Sequence, residues 1–516
     1  MTFIRSTRMT STPTPRKSKS PPQAVSLPHA LRPKSPAKRR ASKTTDDDIF
    51  GKYKPDPHQA VSLKHADGTP TVLDFSDAGT GKTPVALWSF AQRHREGVAR
   101  CALVICPRTL MTNVWVSSVR KFTPWFTAVA AKAENRAKVF AQEADIYVTN
   151  TDAVNWLAKQ PKSFFARFTD LFVDECSAFK HHTSQRSKNL AKIRSHFERR
   201  RLMSGTPTSR SITDVWHQAF LVDNGKRLGN SFYAFRNSVS TPKQVGSNAN
   251  ALRWDDKEGA EDAVFGLLAD IVVRHKFDDV VKIPERQVYT VPYTLSPKHM
   301  LAYSEMEKRQ VLLYQDKKAM GTVSAIHAAS MRTKLLQIAS GAVYADMTND
   351  SDRPTHVLDT GRYELALDLA LESPHTLIMF LWRHQRDLLT AEAEKRSLNF
   401  AVLDGDADDK LRDEIEAAYQ AGVYDVVIAH PKTVAHGLTL TRGTTTIWTS
   451  PTDDTEWFKQ GNRRQARRGQ TKATRIITLI GEGTVDEAAY ENCIGKGKRE
   501  DMFLGLFEKY TTEEIA

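Results

Sequence analysis

A run of small and polar residues interrupts an apolar stretch in the segment TVLDFSDAGTGKTPVALWSF, residues 71–90. The β-branched and apolar residues at 71–75 predict a strand, and the apolar periodicity after residue 83 predicts a helix. A strand, a glycine loop and a helix in this order are typical of a phosphate-binding loop, because Gly79 and Gly81 let backbone N–H groups approach phosphate oxygens. The fold must therefore contain a strand that feeds directly into a helix.

The other residues of this loop supply the remaining chemistry. Thr80 separates the two glycines, Lys82 offers a positive charge to phosphate, and Thr83 offers a hydroxyl ligand to Mg²⁺. The common pattern has a further glycine where this chain has Ser76. A bare GxGK[ST] string can arise by chance, but the strand-to-helix context favours a functional loop.

A second strand with acidic residues at its end occurs in TDLFVDECSAFK, where the apolar run 171–173 leads into Asp174 and Glu175. A phosphate-binding loop needs a magnesium-binding aspartate at the end of another buried strand. We expect Asp174 to hold Mg²⁺ through water, and Glu175 to orient and deprotonate the attacking water. The alternative is an ordinary acidic strand terminus, which the pairing with the glycine loop disfavours.

Short apolar runs alternate with longer helical stretches in two separate parts of the chain. Residues 71–205 contain the strand candidates TVLDFS, CALVICP, DIYVTN, DLFVDE and RRLMSG, and residues 376–480 contain TLIMFL, FAVLDG, DVVIAH, TTTIWTS and TRIITLIG. This alternation is the signature of parallel sheets covered by helices on both faces. The predicted fold class is α/β, with two parallel-sheet lobes and a helix-rich insertion between them.

The first 45 residues differ in composition from the rest of the chain. They contain eleven Lys and Arg and no Asp or Glu, which leaves 63 basic and 60 acidic residues for the remainder, so most of the net charge of +14 lies here. Because this segment is rich in Pro, Ser and Lys and poor in apolar residues, we predict a disordered tail at 1–48. It is either a solubilising leader or an arm that binds phosphates nonspecifically.

Further features of the sequence predict a cytoplasmic setting and no membrane contact. No apolar run approaches the roughly 18 residues of a membrane span, and the N-terminus lacks an apolar signal region. The four cysteines show no CxxC spacing, which argues against a disulfide framework and against a cysteine zinc site. We therefore expect a reducing environment, such as the cytoplasm of a bacterium or of a phage-infected host.

With these motifs in place, the chain resembles a superfamily 2 helicase-type motor of the Swi/Snf branch, in the compact form found in phages and prophages. ALVICPRTLMTNVW resembles motif Ia, DIYVTNTDAV motif Ib, VDECSAFK motif II and RLMSGTPTS motif III. IVVRHKFDDVVKIPERQVYTVPYTLS resembles the arginine-rich stretch and following strand of this branch. FAVLDGDADDKLRDEI, DVVIAHPKTVAHGLTL and QGNRRQARRGQ resemble second-lobe motifs, the last being motif VI.

The resemblance covers about residues 50–490 and implies two RecA-like lobes. We expect lobe one at 49–224, the insertion and linker at 225–355, and lobe two at 356–516, all after the tail. The implied activity is a nucleic-acid-stimulated ATPase that uses ATP and Mg²⁺ and moves along duplex DNA. Such a motor would act in phage or bacterial replication, recombination or repair, with phage or host proteins as possible partners.

Motif VI carries the arginines that the resemblance places at the γ-phosphate. Arg464 and Arg467 are three residues apart, so they would share one face if the segment is helical. They would reach ATP from the second lobe, with Gln460 as a further catalytic residue of the same motif. For Arg463 and Arg468 we expect solvated side chains.

Four more residues are implied in coupling hydrolysis to nucleic acid. Ser204 and Thr206 belong to motif III, and Thr433 and Gly437 belong to motif V. Motif II reads DECS where the common form is DEAH, and motif V has TVAH where the branch has small residues and glycine. These departures leave the metal and base positions intact, and they put coupling in doubt.

The string QAVSLKHA at 59–66 almost repeats QAVSLPHA at 23–30. Pro28 prevents the first copy from forming a clean helix. In motors of this kind a glutamine shortly before the phosphate loop recognises adenine, and Gln59 lies 23 residues before Lys82. We therefore assign adenine recognition to the second copy. The first is either a relic of local duplication or a short peptide that transiently mimics the helix.

Two other functions stay open at this point. One is a helicase that separates DNA or RNA strands. The other is a nucleic-acid clamp that has lost hydrolysis, which is disfavoured because Lys82, Asp174, Glu175 and Arg467 are all present.

Overall fold

The computed structural model describes residues 49–207, 211–244, 252–319, 325–344, 355–434 and 438–496. Its strands are β1 (Thr71–Asp74), β2 (Ala102–Cys106), β3 (Ala128–Ala131), β4 (Ile146–Asn150), β5 (Asp170–Asp174), β6 (Arg199–Met203), β7 (Ser240–Gln244), β8 (Leu252–Asp256), β9 (Val272–Val273), β10 (Arg286–Tyr293), β11 (Ala342–Tyr344), β12 (Thr355–Val357), β13 (Thr376–Met379), β14 (Phe400–Leu403), β15 (Val426–Ala429), β16 (Thr445–Trp448) and β17 (Thr474–Gly481).

Its helices are α1 (Pro57–Gly68), α2 (Lys82–Arg95), α3 (Ser117–Phe122), α4 (Arg136–Phe140), α5 (Val154–Leu157), α6 (Lys162–Phe165), α7 (Gln185–Ile193), α8 (Val215–Asp223), α9 (Phe232–Val239), α10 (Ala260–Leu268), α11 (Phe277–Val280), α12 (Pro297–Ala319), α13 (Ala325–Ala339), α14 (Gly361–Leu371), α15 (Arg383–Lys395), α16 (Asp409–Ala421), α17 (Pro431–Val434) and α18 (Thr455–Asn462). A π-helical segment, Met111–Val116, precedes α3.

The first sheet has seven parallel strands in the order β3-β4-β2-β5-β6-β1-β9. Along β2, Leu103 and Ile105 contribute to one apolar cluster, and Val104 and Cys106 contribute to another. Since successive side chains of a strand point to opposite faces, these two clusters cover the two sides of the sheet. This double burial explains why the strands appear in the sequence as continuous apolar runs.

The second sheet has six parallel strands in the order β10-β17-β16-β13-β15-β14. Leu377 and Met379 pack into one apolar cluster, and Ile378 and Phe380 pack into another. All ten strand candidates found in the sequence are strands of these two sheets. The predicted architecture of two parallel α/β lobes is confirmed.

The predicted insertion, residues 225–355, contributes strands to both sheets. β9 is an edge strand of the first sheet and β10 is an edge strand of the second, so residues 274–285 connect the lobes. The hairpins β7–β8 and β11–β12 also lie in or at the end of this segment, so it is not helical throughout. The domain boundaries stay a prediction, and the tail at 1–48 lies outside the described residues.

The four cysteines are buried and form no disulfide. Burial raises the pKa of Cys101 to about 12 and that of Cys493 to about 11. It also raises the pKa of Cys106 and of Cys176 well above the usual range. In the part of the chain that the structure describes, no helix is both long enough and apolar enough to span a membrane.

Candidate active site

The carboxyl ends of three adjacent strands, β5, β6 and β1, form the candidate site. Asp174 pairs in register with Met203, and Met203 pairs with Asp74, so the three strands end at the same level. The glycine loop follows β1, the acidic pair follows or ends β5, and motif III follows β6. Ligands of parallel α/β sheets bind at this edge. Three motifs that are far apart in sequence are therefore neighbours.

The glycine loop has a backbone that only glycine adopts easily. Gly79 and Gly81 have φ of 90° and 89°, in the left-handed region. A Cβ on Gly79 would lie 2.8 Å from the Phe277 ring, and a Cβ on Gly81 would clash with the Gln59 amide. Gly81 immediately precedes α2, whose N-terminal end adds a favourable dipole for anions.

Lys82 is oriented by carbonyl groups of the loop itself. Its Nζ donates to the carbonyl of Ser76 (2.6 Å) and to that of Asp77 (3.0 Å). The Thr80 hydroxyl donates to the same Asp77 carbonyl (2.8 Å). Thr83 is the second residue of α2 and is half-buried. The predicted phosphate-binding residues thus lie together in one loop and the first turn of one helix.

Asp174 is held at both carboxylate oxygens. Trp115 Nε1 donates to Oδ2 (2.9 Å), and the Glu175 N–H donates to Oδ1 (3.1 Å). The Trp115 side chain is fully buried in the π-helical segment, a local geometry frequent at functional sites. Burial and the neighbouring Glu175 carboxylate raise the pKa of Asp174 to about 6, against the opposing effect of Lys82.

Glu175 has an unusual backbone and an unsatisfied side chain. Its φ of 50° is left-handed, which costs a non-glycine residue about 1–3 kcal/mol and is found mainly at functional sites. Its Oε2 is buried and has no hydrogen-bond partner among the residues that the structure describes. Burial raises the pKa of Glu175, while the positive charges of Lys82 and Arg464 lower it. These features suit a group that accepts a proton.

Gln59 contacts the glycine loop from α1. Its Oε1 accepts from the Asp56 N–H (2.9 Å), and its Nε2 donates to the Thr80 carbonyl (3.3 Å). His58 Nε2 donates to the same carbonyl at 2.8 Å. Sequence reasoning missed His58, because adjacent residues on a helix point in different directions and no spacing predicts a shared partner.

Motif III lies beside the glycine loop. The Ser204 N–H donates to the Asp74 carbonyl (3.0 Å), and the Thr206 N–H donates to the Ser204 hydroxyl (3.2 Å). The Thr206 Oγ1 is buried, and no described residue bonds to it. The two predicted coupling residues are therefore buried just after the end of β6, where Ser204 is bonded to the end of β1.

Gln218 of α8 links motif II to motif III. Its Oε1 accepts from the Cys176 thiol (3.0 Å), and its Nε2 donates to the carbonyls of Pro207 (2.7 Å) and Asp214 (3.1 Å). Gln218 is fully buried. The DECS form of motif II thus retains a connection to motif III, through a residue that no motif marks.

In the second lobe, Arg464 and Arg467 lie in the turn after α18, which ends at Asn462. The condition for a shared helical face is therefore not met, but the two side chains still bond to a common partner. Arg464 Nη1 and Arg467 Nη1 donate to the Leu438 carbonyl at 3.2 and 2.9 Å. Arg464 Nε also donates to the Gln460 carbonyl (2.8 Å).

The two arginines differ in their electrostatic partners. Burial, reinforced by Arg467, lowers the pKa of Arg464 to about 9, and Glu175 of the first lobe opposes this shift. Burial also lowers the pKa of Arg467, and its opposing carboxylate is Glu416 of its own lobe. Arg464 therefore interacts electrostatically with the glutamate of motif II, and the carboxylate that acts on Arg467 is in its own lobe.

Three further predicted residues belong to the second lobe. Gln460 is buried, and its Oε1 has no partner within the described ranges. Thr433 is buried in α17. Gly437 lies outside the described residues.

The structure contradicts the solvated side chain that the sequence predicts for Arg463. Its Nη1 donates to the Ala78 carbonyl (2.9 Å), its Nη2 pairs with Asp77 (2.5 Å), and 14% of its side chain is exposed. It is therefore not a solvated arginine, because the glycine loop of the other lobe covers it. Arg468 has 59% of its side chain exposed, as expected, and pairs with Asp56.

The residues at this edge fit a magnesium–nucleotide complex. Asp174 and Thr83 offer the oxygen ligands that Mg²⁺ prefers. Buried polar atoms without partners are rare in folded proteins. Glu175 and Thr206 at this edge and Gln460 of motif VI each carry one, among other such atoms elsewhere in the described residues. Polar groups of a bound ligand or its ordered waters would satisfy them.

Comparison with known proteins agrees with the motifs. The SNF2-related domain family matches residues 60–340. Protein p41 of Acyrthosiphon pisum secondary endosymbiont phage 1 is 25% identical over 89% of this chain and 99% of its own length. The SWI/SNF chromatin-remodeling complex subunit snf22 of Schizosaccharomyces pombe is 22% identical over 75% of this chain. The chain spans only 24% of the length of snf22.

Among solved structures, the Sulfolobus solfataricus SWI2/SNF2 ATPase core in complex with dsDNA is similar. It is 20% identical, with a TM-score of 0.40, over 90% of this chain and 96% of that chain. The family match spans more than half of the 516 residues and includes motifs I to III. The chain belongs to the SNF2-related domain family, within the Swi/Snf branch of helicase superfamily 2.

Proposed function

We propose that this protein hydrolyses ATP in the cleft between its two lobes and uses the energy to move along duplex DNA. The observation that carries the proposal is the set of buried, unpartnered polar atoms on Glu175, Thr206 and Gln460. These atoms come from both lobes, and all three residues belong to motifs that the sequence assigns to nucleotide hydrolysis or coupling. A ligand shared by the lobes accounts for them together.

The residues of the first lobe would bind and activate the substrate. Lys82 and the backbone N–H groups of the glycine loop bind phosphate oxygens, and Gln59 recognises the adenine edge. Glu175 accepts the proton of the attacking water, a role that its raised pKa favours. Mg²⁺, when bound by Asp174 and Thr83, neutralises charge on the phosphates.

The second lobe would complete the site. Arg464 lies close enough to Glu175 for the two charges to interact, so its guanidinium can stabilise negative charge that develops on the γ-phosphate. Arg467 shares the Leu438 carbonyl with Arg464 and would support it. Hydrolysis then depends on the lobes being together, which is how such a motor can link chemistry to movement on DNA.

The relatives support a DNA-directed role in phage or bacterial replication, recombination or repair. The similarity to phage protein p41 runs over nearly the whole of both chains. The similarity to snf22 is confined to part of that subunit of a chromatin-remodeling complex. We infer that the chain works on duplex DNA in the cytoplasm of a bacterial or phage-infected cell, with phage or host proteins as partners.

ATPase assays with three polymers test the proposal. Turnover should rise most with duplex DNA, less with single-stranded DNA and least with RNA. Lys82→Ala should abolish nucleotide binding, and Glu175→Gln should bind ATP without hydrolysing it. Turnover of Glu175→Gln equal to that of the wild type would remove Glu175 as the base.

The same assays separate the alternatives. Stimulation by single strands alone, with strand separation of a partial duplex, would indicate a helicase. DNA binding without any ATP hydrolysis would indicate a clamp. Either result would replace the proposed translocase.

A further inference from the structure

The phosphate loop of the first lobe is bound by an arginine of the second lobe that no motif assigns to it. Arg463 Nη2 pairs with Asp77 Oδ2, and Nη1 donates to the Ala78 carbonyl (2.9 Å). Its guanidinium also lies 5.0 Å from the centre of the Phe277 ring. One side chain therefore contacts two residues of the phosphate loop and one residue of the segment that joins the lobes.

Asp77 is also fixed by the segment 274–285 that joins the lobes and by its own loop. Arg274 Nη1 pairs with Oδ1 (2.5 Å), and the Phe277 N–H donates to Oδ2 (3.1 Å). The backbone carbonyl of Asp77 accepts from Lys82 Nζ (3.0 Å). The residue that receives Arg463 is thus bonded to the lysine expected to bind phosphate.

One carboxylate, that of Asp77, lies between two guanidinium groups in this cluster. Burial alone would raise the pKa of Asp77, but the guanidinium groups of Arg463 and Arg274 outweigh it, and the pKa lies well below the usual range. Asp77 is therefore ionised wherever the protein is folded near neutral pH. A partly buried pair of this kind is screened by salt much less than a surface pair.

The Phe277 ring connects the cluster to the glycines. It occupies the space where a side chain on Gly79 would lie, and Arg463 stacks on it. Phe277 and Arg274 both belong to the segment 274–285 that joins the two lobes. The interlobe connection and Arg463 thus contact each other, and both contact the loop.

We propose that Arg463 is a positioning residue that acts through Asp77, so that closing the lobes fixes the phosphate loop and the ordered loop holds the lobes closed. This role rests on the proposed function and adds a residue to it, since motif VI assigns the phosphate contacts to Arg464 and Arg467. Nucleotide binding by the first lobe alone does not need Arg463, whereas the closed state that hydrolyses ATP does.

The chain offers a matched control in the same turn. Arg468 also forms an ion pair across the lobes, with Asp56, but its side chain is 59% exposed. Exposed pairs contribute little. Arg463→Gln and Arg468→Gln therefore each remove one interlobe ion pair, and only the first removes a contact to the phosphate loop.

The experiment compares the full-length wild type, Arg463→Gln, Arg463→Lys and Arg468→Gln. For Arg463→Gln we expect kcat to fall at least about 10-fold, as for loss of a buried charge pair, with the Kd for a non-hydrolysed ATP analogue within about three-fold. Small-angle scattering should show a larger radius of gyration. Arg463→Lys keeps the charge without the paired bonds, so it should recover part of both effects. Arg468→Gln should stay within about two-fold of the wild type in kcat.

The outcomes distinguish this role from the proposed function. If Arg463→Gln matches Arg468→Gln in kcat and in radius of gyration, Arg463 does not position the loop. If the wild type hydrolyses no ATP, the proposed function fails. The scattering comparison needs no nucleotide, so it still decides whether Arg463 holds the lobes together. A Kd that weakens as much as kcat would also overturn the inference, because the loop would then need Arg463 for binding itself.

Discussion

Glu175 combines three unfavourable features that a purely structural residue would avoid. Its backbone is left-handed, its Oε2 is buried, and that atom has no partner in the described part of the chain. The motif predicted its identity and its place after a strand, because the chemistry requires a carboxylate there. The motif could not predict the backbone strain, which depends on the 3₁₀ turn that follows at Cys176–Phe179.

Trp115 holds the side chain of Asp174, the other carboxylate of motif II, by a hydrogen bond. Its Nε1 donates to Asp174 Oδ2 (2.9 Å), and its ring stacks on Phe172. Trp115→Phe keeps an aromatic ring in the core and removes the donor. If Asp174 holds the metal, the affinity for Mn²⁺, measured by electron paramagnetic resonance with a bound ATP analogue, should fall about 10-fold.

Trp88 provides the control for this substitution. It belongs to the same apolar cluster, and its Nε1 is buried without a partner among the described residues. Trp88→Phe should therefore leave the affinity for Mn²⁺ unchanged. Equal losses in the two variants would mean that core packing, and not the hydrogen bond, governs the metal site.

Residues proposed to touch the substrate could be predicted from motifs, and residues that contact the phosphate loop from distant segments could not. Lys82, Asp174 and Glu175 occupy fixed positions in motifs because phosphate and water chemistry limits their identity. His58 and Arg463 contact the phosphate loop from distant parts of the chain. Their roles depend on tertiary contacts, and the solvated side chain predicted for Arg463 was wrong for that reason.

At the level of elements, α8 connects motif II to motif III through Gln218. Gln218→Met would leave the Pro207 and Asp214 carbonyls without this donor, so it should lower the free energy of unfolding by about 1–3 kcal/mol. Cys176→Ser keeps a donor of similar shape and should cost less than about 1 kcal/mol. Urea unfolding measures both, and a larger loss for the serine variant would contradict the central place of Gln218.

The strands were predictable because most of them are buried on both faces. Ten apolar runs in the sequence correspond to ten strands, with small shifts at the ends. β3 was missed because AVAA is short and weakly apolar, and β9 because it has only two residues. Arg464 and Arg467 lie in a turn, since α18 ends before them. In each case tertiary contacts, and not the local sequence pattern, determine the secondary structure.

At the scale of the whole molecule, buried histidines make stability depend on pH. Burial lowers the pKa of His217 in the first lobe and of His384 in the second lobe to about 4. Both rings are neutral in the folded and unfolded states above about pH 6.5. Below that pH the unfolded chain binds protons first, so stability is lost between about pH 6.5 and 4, by up to about 1.4 kcal/mol per pH unit for each histidine.

Urea unfolding at several pH values between these limits checks this prediction. His384→Gln should flatten the slope of stability against pH, whatever its effect on stability at neutral pH. His356→Gln alters an exposed side chain and should leave the slope as it is in the wild type. A wild-type stability that stays constant over this pH range would show that the buried histidines do not resist protonation.

The burial of all four thiols makes the protein well suited to site-specific labelling. Maleimide dyes react with accessible thiolates, and burial raises the pKa of Cys101 and Cys493 and keeps them from solvent. Val98 and Val423 are more than half exposed and lie in different lobes. A Val98→Cys, Val423→Cys double variant should therefore accept a donor and an acceptor dye without removal of any native cysteine. Energy transfer between the dyes would then follow opening and closing of single molecules as they work.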